Sequence, residues 1–175
     1  MKTITGYAVI WDAISTPLGG FREVVRRGAF TKTIQAGDAR GLWNHNADFP
    51  LGRKSAGTLE LEEDHKGLKV TITPPDTSYA RDLIASIARR DVTGFSFGFV
   101  MVKDSWLRAG PDGLPLRELL EVTLLECSPC TLPAYPQTEA HVREAVQPAA
   151  SVLPFTSPSL ELKRRRLRLI ELTAA

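Results

Sequence analysis

Three side-chain types in this sequence could together carry acyl transfer: a serine, a histidine and a carboxylate. Ser96 stands in Thr93-Gly94-Phe95-Ser96-Phe97-Gly98-Phe99, a small polar residue among aromatics and between two glycines. Flanking glycines let another backbone approach and leave N–H groups free to face an oxyanion. The letters spell G-x-S-x-G, but a nucleophile elbow needs a strand before the serine and a helix after it. Here a helical pattern precedes and a strand pattern follows, so an α/β-hydrolase elbow is excluded. His45, in Leu42-Trp43-Asn44-His45-Asn46, is the one histidine expected in the protein interior, and an imidazole accepts a serine proton near neutral pH. His65 falls in a turn beside Glu62, Glu63 and Asp64, and His141 in a polar stretch.

A third group should hold the imidazole and stabilise its charged form. Glu121 and Glu126 both lie in one strand-like run, Leu116 to Cys127. That run pairs with Thr93 to Lys103 across Ala109-Gly110-Pro111-Asp112-Gly113, a turn signal. A turn centred near Pro111 sets Ser96 opposite Glu126 or Cys127, and Glu121 opposite Met101 or Val102. Glu121 is then about 16 Å along the strand and, by a period of two, on the other face. Register therefore selects Glu126 and keeps Glu121 in reserve. A one-residue slip would reverse the faces. Outside such a site, Glu126 would pair with an arginine such as Arg53.

The elements that must position these groups are mostly strands. Thr3 to Trp11 is apolar on both faces, and Phe21 to Val25 is short. A helix opens at Gly28-Ala29-Phe30 and runs to about Gln35; Leu42 to Asn44 is extended, and Asn46 to Pro50 reads as loop. Thr58 to Glu62 and Leu68 to Thr73 form a hairpin. Ser78 to Arg90 is a helix with Leu83, Ile84, Ile87 and Ala88 as its apolar stripe. The expected fold is mainly β with interspersed helices: an antiparallel, closed or partly open barrel of about seven strands. Residues 1–136 form its domain, 137–156 a linker, and 157–175 a basic C-terminal helix or disordered tail.

Composition sets the limits. The chain has 175 residues, 43% hydrophobic and 24% charged, enough for one domain with a core. The net charge of +2 resides in the residues after Pro136, so the body is neutral and nucleic acid is not an expected partner. No apolar run reaches membrane-spanning length, and no signal-peptide pattern opens the chain. Cys127 and Cys130 spell CxxC, but a zinc site needs about four ligands and the histidines are scattered. They read as core residues of a reducing compartment. No metal or cofactor is expected.

Five segments in order resemble the HK97-type phage prohead proteases, a family similar in fold to the herpesvirus assemblins. They are Gly6-Tyr7-Ala8-Val9; Arg27-Gly28-Ala29-Phe30; Leu42-Trp43-Asn44-His45 with Pro50-Leu51-Gly52-Arg53; Gly94-Phe95-Ser96-Phe97-Gly98-Phe99; and Leu125-Glu126-Cys127-Ser128-Pro129-Cys130-Thr131-Leu132-Pro133-Ala134-Tyr135-Pro136. The resemblance implies an assemblin-like barrel with Ser96 and His45 as catalytic serine and histidine, and an acidic third member. It implies oxyanion donors beside Ser96 or in a bend over residues 126–131. The implied substrates are scaffold protein or the scaffolding segment of the capsid protein, and the chain itself. Action would be inside the prohead in the host cytoplasm, as a homo-oligomer, with no nucleic acid or membrane partner. The competing expectation is a non-catalytic assembly module on the same fold. An esterase on the same residues, or a CxxC redox or zinc protein, stands further off.

Overall fold

The structure, a computed structural model, describes residues 2–108 and 113–144. In chain order these hold β1 (Lys2–Ile10), β2 (Arg22–Val25), α1 (Thr31–Ala36), β3 (Arg40–Trp43), β4 (Asn46–Arg53), a 3-10 turn (Lys54–Ala56), β5 (Leu59–Glu63), β6 (Gly67–Ile72), α2 (Ser78–Arg89), β7 (Gly94–Leu107), β8 (Leu116–Cys130) and β9 (Glu139–Glu144). The mainly β expectation holds. The closed or partly open antiparallel barrel does not: the strands form two sheets, β5-β6-β1-β9 and β2-β8-β3-β4 with β7 on β8. The second sheet is mixed, because β2 and β3 both run parallel to β8.

At the seam between the sheets a side chain stands in for strand pairing. At the start of β7, the hydroxyl of Thr138 takes the place of a neighbouring strand. It accepts from the Phe95 N–H at 3.1 Å, and its one proton lies between the carbonyls of Phe95 and Tyr135, each at 2.8 Å. One main-chain bond, from the Ala140 N–H to the Thr93 carbonyl at 2.8 Å, is added beside it. Side-chain pairing of this kind satisfies the backbone without extending a ladder. The core fills the space between the sheets with Ile4, Phe30, Leu68, Ile72, Leu83 and Phe95, all buried.

Two segments expected to be loop or linker are strands. Residues 46–50 belong to β4, which pairs with β3. Residues 139–144 form β9, paired with β1 from Lys2↔Glu144 to Tyr7↔Glu139. The compact body thus extends past Pro136. The expected basic helix or disordered tail over 157–175 lies outside the described residues. In α2, Leu83 and Ile87 are buried as the stripe requires, whereas Ala88 is exposed and Ala80 buried instead.

β8 organises the second sheet. One of its edges carries β7, and the other is followed in parallel by residues 22–45. β2 pairs with Leu116–Leu119. The Val122 N–H then donates to the Ala29 carbonyl at 3.0 Å, and Thr33 of α1 donates its hydroxyl proton to the Val122 carbonyl at 2.9 Å. β3 pairs next, Arg40↔Glu126 and Gly41↔Cys127. Gly28, with φ of 88°, makes the turn that lets the chain leave β2 and re-enter alongside β8.

The base of the β3–β4 hairpin is held by charge. Asp38 accepts from the Arg53 guanidinium at 2.6 and 2.8 Å and from the Ser55 N–H at 3.0 Å. The Arg53 contact first, then the Ser55 N–H, holds the Asp38 carboxyl well below the usual carboxylate range. A depressed native pKa contributes stability above the unfolded value, about 4, and loses it as pH falls through the native one. Asp38→Asn should therefore lower the melting temperature by a few degrees at pH 7. The gap from wild type should narrow steadily below about pH 4 in thermal melts.

Candidate active site

The histidine sits at the tip of the β3–β4 hairpin. Asn44 and His45 both have positive φ, 53° and 61°, and Trp43↔Asn46 closes the ladder around them. Two consecutive left-handed residues are the pattern of a type I′ turn, whose second place normally goes to glycine. A histidine there is strained and must be held from outside. β8 does the holding: the Asn44 N–H donates to the Pro129 carbonyl at 3.1 Å, and the His45 N–H to Ser128 Oγ at 3.1 Å. The side chain is 45% exposed, so the expected interior location is replaced by an open rim.

The carboxylate that meets it is Glu126. Its Oε1 lies 2.7 Å from His45 Nδ1, and its side chain is only 12% exposed. Gly98 stands opposite in the β7–β8 ladder, and a Cβ there would lie 2.5 Å from Glu126 Oε1. Glycine at 98 therefore makes room for the carboxylate. The sheet is also bent to present it. Gly98 pairs with Glu126 and Phe99 with Leu124, leaving Leu125 as an extra, bulged residue. Bulges re-aim the side chains beside them.

That bulge, and a second irregularity at Val102, correct the expected register. Ser96 pairs with Ser128, rather than with Glu126 or Cys127, and Glu121 pairs with Lys103, rather than with Met101 or Val102. Ser96, Gly98, Glu126 and Ser128 still form one patch of two facing strands. Ser96 is 8% exposed, and its hydroxyl makes no hydrogen bond among the described residues, to His45 or to any other group. The reserve carboxylate is elsewhere: Glu121 is 2.8 Å from Lys32 Nζ. Arg53 is engaged by Asp38 and not by Glu126. The expected bend over 126–131 is instead strand as far as Cys130, paired with β7.

Ser128 was missed by the sequence reading. Its side chain is fully buried, and its hydroxyl is bonded to Glu126 Oε2 as well as to the His45 N–H. The available signal was spacing, since residue i+2 from Glu126 shares its strand face. His65 and His141 are exposed, the latter in β9. Cys127 and Cys130 are buried free thiols; burial pushes the Cys127 thiol up, and that of Cys130 up to about 11. No cluster of metal-binding side chains occurs among the described residues.

The Ser96 hydroxyl lies one strand away from the bonded His45–Glu126 pair, on a mainly β scaffold. The chain belongs to the caudovirus prohead serine protease family, whose model matches residues 1–151. Among solved structures it is similar to the Kaposi's sarcoma herpesvirus protease in complex with an allosteric inhibitor. The TM-score is 0.48 at 15% identity, over 100% of this chain and 92% of that one. No curated protein matches significantly.

Proposed function

We propose that this chain is an endopeptidase of capsid maturation, with Ser96 as nucleophile, His45 as general base and Glu126 as the carboxylate that orients it. The observation that carries the reading is the 2.7 Å contact between His45 Nδ1 and Glu126 Oε1, with Ser96 on the adjoining strand. A carboxylate can only accept, so with Glu126 as the orienting anion Nδ1 bears the proton and Nε2 is left as the acceptor. With substrate bound, Nε2 takes the Ser96 proton as Oγ bonds to the scissile carbonyl carbon. The imidazolium, stabilised by Glu126, passes that proton to the departing amine as the C–N bond breaks. Water, activated by the same nitrogen, then cleaves the acyl–serine ester. The Ser96–His45 hydrogen bond forms on substrate docking, as such contacts often tighten only in the complex.

Family membership supports capsid and scaffold proteins as the substrate class. The proposed substrates are the scaffolding segment of the capsid protein and this chain's own tail beyond the compact body, cut inside the assembling prohead by a homo-oligomer. The test is co-expression with the capsid protein of the same virus, read by intact mass. The expected result is removal of one N-terminal segment from the capsid protein and shortening of the protease after residue 144. Complete shells of full-length capsid protein beside a full-length partner would overturn the reading and favour the assembly module.

A further inference from the structure

We propose that Ser128 is a positioning residue that ties the Glu126 carboxylate to the main chain of His45. It rests on the roles given above to Ser96, His45 and Glu126. The Ser128 hydroxyl makes two bonds, and their direction is forced. A main-chain N–H can only donate, so Oγ accepts from His45 at 3.1 Å, and its single proton goes to Glu126 Oε2. Oε1 is left for the imidazole at 2.7 Å. The result is a closed ring: one carboxylate holds the ring of His45 directly and its backbone through Ser128. The turn needs this, because Asn44 and His45 are both left-handed. With one end of Glu126 fixed, the carboxylate cannot rotate away from Nδ1.

The ring also explains why a serine stands at a fully buried place across from Ser96. Alanine would leave the His45 N–H and one carboxylate oxygen without a partner. A direct role in bond-making is closed to Ser128, since no substrate carbonyl reaches a hydroxyl with no exposed surface.

The experiment uses the full chain with Ser128→Ala and Ser128→Thr, which keeps the hydroxyl on a strand. Kinetics are read on a peptide spanning the mapped capsid cut. The His45 Nδ1–H proton signal is read by NMR in a Ser96→Ala background, which prevents self-cleavage. For Ser128→Ala, kcat should fall about 10- to 100-fold, the scale of one bond to a charged group. KM should stay near the wild-type value, and the Nδ1–H signal should be lost to solvent exchange. Ser128→Thr should restore both. If Ser128→Ala does not fold, Ser128→Cys, similar in size but a weak donor, replaces it with the same expectations. The proposal is overturned if the hydroxyl-free variant keeps kcat and the Nδ1–H signal. It is equally overturned if activity falls only in step with melting temperature while that signal persists. A wild-type chain that cuts no peptide would instead sink the protease reading, and the NMR comparison would still decide the role of Ser128.

Discussion

Ser96→Ala should abolish cleavage while leaving the fold intact. Removal of the nucleophile from a serine protease costs about 10⁶-fold in kcat, which here means no product from capsid protein or from the chain itself. The structural cost runs the other way. The Ser96 hydroxyl is nearly buried and makes no hydrogen bond among the described residues, so its loss leaves no group unpaired. The melting temperature should be unchanged or slightly higher. A serine kept for packing would show the opposite pair of results. Intact-mass analysis of co-expressed capsid protein, with a thermal melt of the purified variant, measures both.

The second large effect belongs to the carboxylate. Glu126→Gln should lower kcat by about 10²- to 10⁴-fold, the upper end being the loss seen when a triad carboxylate becomes an amide. The reason is a count of acceptors. Glu126 serves two donors, His45 Nδ1–H on Oε1 and the Ser128 hydroxyl on Oε2. A glutamine offers one oxygen and one NH₂, so one of the two donors must face hydrogen. If the ring loses, the imidazole turns or takes the wrong tautomer; if Ser128 loses, its hydroxyl must turn round to accept from the amide, and its own proton is left without the carboxylate. Glu121→Gln is the matched control, since it gives up only a surface contact with Lys32. Its kcat should stay within about twofold of wild type, because exposed pairs are worth little. Equal losses from the two variants would remove Glu126 from its role.

The sequence carried both helices and the strands other than β4 and β9, because their apolar residues recur at the right period. It also named His45 and Glu126, which lie in contact at 2.7 Å, although hairpin counting set Glu126 two residues from its true place relative to Ser96. Counting missed the partner of Ser96, because the Leu125 bulge adds a residue to β8 that no turn signal announces. Past the bulge the alternation slips by one: Val122 and Leu124 face the core before it, and Cys127 after it. The face argument against Glu121 therefore fails, and its partner Lys32 is what removes it from the site. β4 was hidden because its first five residues are exposed and include Pro50, which suits an edge and reads as loop. β9 was hidden by polarity, although Ala140 and Val142 alternate with Glu139, His141 and Arg143. The turn at Asn44-His45 was legible only as an anomaly, a histidine where such a turn asks for glycine.

The parallel run of residues 22–45 along β8 has a consequence for when activity begins during synthesis. His45 and Ser128 are 83 residues apart in the chain. A ribosome adding about 5–20 residues per second needs about 4–17 s to travel from one to the other. Through that interval the histidine has neither its carboxylate nor the strand that anchors its turn. No nascent chain that stops short of β8 can hold the His45–Glu126–Ser128 contacts. The proposed site can assemble only once β8, its late central strand, has been made.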